Sequence, residues 1–214
     1  MLLSSLQFGA TLAYSPRGTT EPSGRSATFV RALKQNKRLG IQGGITSARF
    51  LATRMAERVH ELPFAEHFSA DAVLVPMPRA GLRRKGALWP ALEIAEALVE
   101  CGFCADVRIL LKRTTALRKA ATAAAQDRPT ALQHFDSIAV DAAITHPSLV
   151  LVDDVVTRGA TMLGAASRLH ARSPGVKIFG FAAARTISDR EITEVFDPVV
   201  GVIELRKGQT FRVP

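Results

Sequence analysis

Two adjacent carboxylates, Asp153 and Asp154, are followed after Val155 and Val156 by Thr157-Arg158-Gly159-Ala160-Thr161, and these residues have the types and order that chemistry needs. A short loop of small and hydroxyl residues can turn its backbone N–H groups onto an anion, and a helix behind it adds its dipole. Gly159 lets the backbone approach that anion closely, and Thr157 and Thr161 add hydroxyl donors. Carboxylates cannot favourably touch a phosphate, but they accept hydrogen bonds well from the two hydroxyls of a ribose. A sugar diol carrying a phosphate on its 5′ carbon would satisfy both halves of the segment.

The flanking pattern supplies the elements that must hold these groups. Leu149-Val150-Leu151-Val152 is an apolar run of buried-strand type, and the acids stand where that strand leaves the core. After the loop, Met162, Ala165, Ala166 and Leu169 repeat at helical spacing. Strand, acid pair, loop and helix in this order closely resemble the phosphoribosyl-pyrophosphate (PRPP) motif of the type I phosphoribosyltransferases. The resemblance implies ribose binding at Asp153 and Asp154, and PRPP contacts from Val155, Val156, Thr157, Arg158, Gly159, Ala160 and Thr161. It also implies Mg²⁺ as cofactor, since pyrophosphate leaves as charge builds on the sugar ring and hard oxygen ligands suit that ion.

Such a transfer requires a second, pyrophosphate-facing loop. The best candidate is Val75-Pro76-Met77-Pro78-Arg79-Ala80-Gly81, which ends the apolar run 72–75 and continues into Arg83, Arg84 and Lys85, with Pro78, Arg79, Ala80 and Gly81 facing pyrophosphate. Lys112 and Arg113 are candidate closing cations. Taken alone, the proline-rich segment reads equally well as a turn with solvated charges.

The order of the weaker segments resembles one subgroup, the ComF/GntX-type phosphoribosyltransferases, from about Tyr14 to Arg185. It comprises Tyr14, a Phe-x-x-x-Leu-Lys segment at 29–34, a helix, Val-Pro-x-Pro with Lys85-Gly86, Leu-Lys-Arg-Thr at 111–114 and Arg128. The departures are specific. Lys85-Gly86-Ala87-Leu88-Trp89 stands where an Arg-Gly-Phe-Asn-Gln run is common, the amino-terminal four-cysteine zinc ribbon is absent, and Arg158 replaces a small hydroxyl residue. Salvage enzymes for 6-oxopurines, which resemble the motif, carry an aspartate where Thr157 stands. A hypoxanthine or guanine acceptor is therefore disfavoured, and the acceptor is otherwise an unidentified small molecule.

Composition bounds the alternatives. The 214 residues, 47% hydrophobic and 22% charged, suit one α/β domain with a small appendage. Strands alternating with helices indicate a central, mostly parallel sheet flanked by helices, with a ligand at the strands' carboxyl ends. The division expected from the resemblance is an N-terminal segment, 1–45, contributing to a hood, and an α/β domain over 46–214. Helices are expected from Thr46 through Leu62 and over about 90–100, and strands over 72–75, 107–111, 178–183 and 199–205. Residues 14–25 read as an entry loop, and 113–135 as helix or loop.

No run approaches the roughly 20 apolar residues needed to span a bilayer. The first residues lack a basic leader with a long apolar run, so a cytoplasmic location is expected. Cys101 and Cys104 lack a thioredoxin-like context or a second ligand pair and read as ordinary loop thiols, and the five histidines show no metal-ligand spacing. The net charge of +9 favours polyanionic partners. With one Trp and one Tyr for base stacking, nucleic-acid binding is expected to be weak. A non-catalytic nucleotide-sensing or DNA-uptake accessory protein on the same fold is the alternative to an enzyme. The oligomeric state stays open, a homodimer included.

Overall fold

The apolar run before the acid pair is the middle of a long strand, covered on both sides. The computed structural model describes residues 1–40, 44–82, 86–118, 127–188 and 191–214. Along the chain these form β1 (Ser5–Tyr14), α1 (Glu21–Gln35), β2 (Arg38–Leu39), β3 (Ile45–Thr46), α2 (Ser47–Glu57), β4 (Ala72–Pro76), α3 (Pro90–Glu100) and β5 (Asp106–Val107). Then follow β6 (Leu111–Arg113), α4 (Ala131–Asp136), β7 (Ile138–Val140), β8 (Ser148–Val156), α5 (Ala160–Arg172), β9 (Lys177–Thr186), β10 (Phe196–Arg206) and β11 (Gln209–Val213). The main sheet has seven strands in the order β11-β10-β1-β9-β8-β4-β5. Strands β1, β9, β8, β4 and β5 run parallel, while β10 and β11 add an antiparallel hairpin at one edge.

Because β8 lies between β9 and β4, residues 149–152 lose all solvent contact on both faces, which is why they read as continuous rather than alternating apolar sequence. Alternate side chains enter different cores. Leu149 and Leu151 pack with Met162, Ala165, Ala166 and Leu169 of α5. Val150 and Val152 pack with Leu33, Leu51, Met55 and Leu98 from α1, α2 and α3. The site therefore stands at the end of a strand clamped from two sides.

Several expectations are met closely. Helix α2 is capped by Thr46, whose hydroxyl accepts from the Arg49 amide at 3.2 Å, and α3 spans Pro90–Glu100 with Pro90 in its first turn. Strands β4, β9 and β10 contain the expected runs. Helix α2 nonetheless stops at Glu57: Val59–Glu61 is a 3₁₀ turn, and Leu62, which precedes Pro63, is extended.

The amino-terminal segment also enters the main sheet. Residues 5–14, expected in a hood segment, form β1 inside the main sheet, with Leu6, Phe8, Ala10 and Leu12 buried. Segment 1–45 thus contributes a strand and a helix to the same sheet and core as the rest. Gly9 is required by a close approach: a Cβ there would lie 2.5 Å from the Phe64 ring. Residues 14–25 are a loop only in part, since α1 starts at Glu21. Thr20 caps it, and Pro22 sits in the first turn, where an N–H is not needed.

The single strand expected over 107–111 is divided. The Arg108 amide donates to the Leu74 carbonyl at 2.8 Å, and the Leu110 amide then closes a tight turn on the Arg108 carbonyl. Residues 111–113 continue as β6, which pairs with β7 in a separate two-stranded sheet. Among the described residues of 113–135 a helix, α4, begins at Ala131, and residues 119–126 lie outside the described residues.

Candidate phosphate-binding site

Asp153 and Asp154 are the sixth and seventh residues of β8, at its carboxyl end. Strand alternation sends them to opposite faces. Asp153 falls on the α5 side and lines a cavity of about 270 Å³, whereas Asp154 is not among that cavity's lining residues. The Asp154 amide donates to Asp153 Oδ1 and the Val155 amide to Asp154 Oδ1, each at 2.9 Å. Burial, and after it the Asp154 carboxylate, pushes the Asp153 carboxyl well above the usual carboxylate range, while the Lys34 ammonium of α1 pulls the other way.

The loop completes the same cavity. All of Val155, Val156, Thr157, Arg158, Gly159, Ala160 and Thr161 line it together with Asp153. Gly159 precedes α5 at φ +80°, and a Cβ there would meet Ile203 at 2.5 Å, so glycine is required by both backbone and packing. The first helical hydrogen bond runs from the Leu163 amide to the Gly159 carbonyl at 2.9 Å. The amides of Ala160, Thr161 and Met162 therefore have no intrahelical acceptor, and among the described residues no side chain caps them. A set of N–H donors at a positive helix end faces a polar cavity beside Asp153, which is an arrangement suited to an anion joined to a hydroxyl-bearing group. Arg158 is exposed at the rim.

Residues far along the chain support this cradle, and sequence reading missed them. Gln209 and Thr210 of the C-terminal hairpin complete the wall. Arg212 Nε donates to the Thr157 carbonyl at 2.7 Å and Nη2 donates to the Thr186 carbonyl, tying the loop to β9 and β11. Burial, and after it Arg185, lowers Arg212 to about 10, so it stays charged at neutral pH beneath the loop. Arg185 in turn is held by the carbonyl and carboxylate of Asp197. Only a basic residue in a terminal strand signalled this role, and such residues are common.

The expected pyrophosphate-facing residues gather at a second cavity. It measures about 250 Å³ and is lined by Pro78, Arg79, Gly81, Lys112 and Arg113, with Ala87, Trp89, Ile109, Leu111 and Asp141. Ala80 does not line it; its carbonyl accepts the Leu117 amide. The loop leaves β4 beside the end of β8, because the Met77 amide donates to the Val152 carbonyl at 2.8 Å. Trp89 is fixed by its indole N–H on the Met77 carbonyl at 2.7 Å. Charge sits at the edge: Lys112 pairs with Asp141 at 3.5 Å, and Arg79 donates to the Leu88 carbonyl. Arg83, Arg84 and Lys85, as well as Lys119, lie outside the described residues.

A polar wall links the two cavities. Arg113, 4% exposed, donates from Nε to the Arg79 carbonyl at 3.1 Å and from Nη1 to Ser137 Oγ at 2.5 Å. The same Nη1 lies 3.5 Å from His134 Nδ1, and His134 Nε2 lies 3.1 Å from Thr161 Oγ1. Gly164 permits this contact, since a Cβ on it would strike the Ala131 carbonyl and His134 across the α4–α5 interface.

The remaining candidates take structural places. Burial pushes the Cys104 thiol up to about 12, which leaves it a poor nucleophile. Among the described residues no three His, Cys, Asp or Glu side chains converge on a metal-sized site, and no helix is long and apolar enough to cross a membrane.

The fold is thus α/β, with a central, mostly parallel sheet flanked by helices. Its candidate site lies where such sheets hold ligands, at the carboxyl ends of the parallel strands. The chain is similar to a hypoxanthine phosphoribosyltransferase from Staphylococcus aureus, at 8% identity over 69% of this chain and 68% of that one, with a TM-score of 0.30. It is also similar to adenine phosphoribosyltransferases from Leishmania tarentolae (14% identity, 77% and 89% covered, TM-score 0.29) and Leishmania donovani (9%, 77% and 86%, 0.30). No protein-family model and no curated protein matches the chain.

Proposed function

We propose that the protein is a PRPP-using type I phosphoribosyltransferase, nearest to the ComF/GntX-type subgroup in the order of its segments. One observation carries the reading: Asp153 and the uncapped amino end of α5 line the same cavity. In this reading the amides of 160–162 and the Thr157 and Thr161 hydroxyls hold the 5′-phosphate. Asp153 accepts from the ribose hydroxyls, and its charge, costly in the free protein, opposes the positive charge that develops on the ring. Asp154 supports Asp153 from the other face of β8. Arg79, Gly81, Lys112 and Arg113 lie beside the departing pyrophosphate, with Pro78 and Ala80 shaping their loop.

The chain's donor set fits Mg²⁺ only in company with the substrate. The hard oxygens of Asp153 suit it, but three ligands do not converge among the described residues, so the ion would be held largely by pyrophosphate oxygens and water. When bound it supplies neutralisation of the departing pyrophosphate.

The test is calorimetric titration with PRPP in the presence of Mg²⁺, followed by a pyrophosphate-release screen across nucleobases and small amines. Binding together with release for at least one acceptor supports the enzyme. Binding with no release across the panel favours the nucleotide-sensing alternative, and absence of PRPP binding removes the enzyme.

A further inference from the structure

We infer that His134 is a positioning residue that fixes the direction of the Thr161 hydroxyl, so that the threonine proton points at the ligand phosphate. The inference deepens the proposed function and rests on it. The Arg113 guanidinium has donors only. Facing Arg113 Nη1, His134 Nδ1 must be the unprotonated nitrogen, and the ring proton is therefore on Nε2. Nε2–H then donates to Thr161 Oγ1 at 3.1 Å. A hydroxyl that accepts from a histidine keeps its own proton for another partner, and Thr161 lines the phosphate cavity.

The surroundings hold this arrangement. His134 is 4% exposed, and burial, followed by the nearby Arg113 charge, lowers its pKa to about 4, which keeps the ring neutral at physiological pH. Ser137 accepts from Arg113 and donates to the His134 carbonyl at 3.1 Å, fixing the wall from behind. Arg113 also binds the Arg79 carbonyl, so the direction of one hydroxyl in the phosphate cradle is set by a side chain anchored in the neighbouring loop. With the opposite tautomer, Thr161 would have to donate to the ring and would present only lone pairs to an anion.

The tautomer is measurable in the unmodified protein. Imidazole ¹⁵N shifts at neutral pH should show His134 protonated on Nε2 and bare on Nδ1; the reverse assignment overturns the inference. The second arm titrates ribose 5-phosphate and ribose into folded variants. Thr161→Val and His134→Leu should each weaken ribose 5-phosphate binding roughly ten-fold, the scale of a charge-assisted hydrogen bond, while leaving ribose unchanged. The double variant should be no worse than Thr161→Val alone, since both remove the same donor. His134→Gln, which keeps an N–H near the Nε2 position, should restore affinity to within about two-fold. Equal losses for ribose and ribose 5-phosphate, or additive losses in the double variant, contradict the positioning role. A wild-type protein that binds neither sugar phosphate nor PRPP overturns the proposed function instead.

Discussion

The two cavities at the carboxyl ends of the parallel strands both carry basic residues and come out differently. The one beside β8 and α5 has a part-buried carboxylate, uncapped amides and hydroxyls on its wall. The one beside β4 has Trp89, Ile109, Leu111, Ala87 and Pro78 on its wall, with Lys112 and Arg79 at the edge and Arg113 buried, each engaged with a carbonyl or a carboxylate. Basic residues in sequence do not by themselves make an anion site. Backbone donors without partners suit an anion better, and among the described residues such donors stand at the first turn of α5. The polar wall of Arg113 and His134 connects the two.

The largest effect expected from breaking that wall is on stability. The unfolded chain protonates a histidine near pH 6.5, while the folded chain keeps His134 neutral to about pH 4. The stabilising contribution is whole above pH 6.5 and is lost as pH falls through this window. His134→Gln should therefore shrink the difference in unfolding free energy between pH 7 and pH 4 by on the order of 3 kcal/mol. Asp153, which faces the same wall, acts in the opposite direction, so the variant must be compared with wild type at each pH in denaturant titrations.

Asp153→Asn separates the functional carboxylate from a structural one. PRPP affinity should fall by about 2 kcal/mol, the scale of hydrogen bonds to a charged acceptor, with a smaller loss for Asp154→Asn. The folded chain raises the Asp153 pKa, so this residue favours the fold at acid pH and opposes it as pH rises through the folded value. The substitution should accordingly raise the melting temperature at neutral pH, by roughly 2–4 °C per kcal/mol relieved, and lose that gain in acid. A lowered melting temperature at neutral pH would show that the charge is structural.

Gly159→Ala should cost about 1–3 kcal/mol of stability, because alanine is strained at positive φ and meets Ile203. Its loss of ribose 5-phosphate affinity should exceed that of an alanine at exposed Gly81, in the other cavity, where a Cβ meets nothing within 4 Å. Equal affinities in the two variants would remove the contrast between the cavities.

How much of this was legible in the sequence depends on contiguity. Acid pair, loop and α5 form one unbroken segment, and the strand before them is buried on both faces, so apolar run and motif read directly. Arg212, Gln209, Thr210 and His134 reach the site from other elements, and single basic or hydroxyl residues carry no pattern. Strand β1 went unread because the resemblance assigns segment 1–45 as a whole to a hood; within the strand, Gly9 makes room for Phe64 across the core. Helix α1 was hidden by Pro22 and Gly24, a proline tolerated in the first turn and a glycine whose Cβ position is open. The division of 107–113 between two sheets depends on tertiary pairing with β4 and β7.

Smaller effects sharpen the comparison further. Arg158 is exposed at the rim of the cradle, and Arg158→Thr should cost about 1 kcal/mol for ribose 5-phosphate and nothing for ribose. Lys112→Gln, which removes one side of an exposed ion pair, should change ribose 5-phosphate binding by less than about 0.5 kcal/mol. Calorimetry on both variants checks the order.

The most direct measurement follows backbone amide resonances during titration with ribose 5-phosphate. The account predicts the largest shifts at residues 157–162, with Thr210 and the Thr161–His134 contact responding and the Trp89 indole N–H nearly still. Shifts confined to Trp89, Lys112 and their neighbours, or no response at 157–162 at saturating ligand, would contradict it.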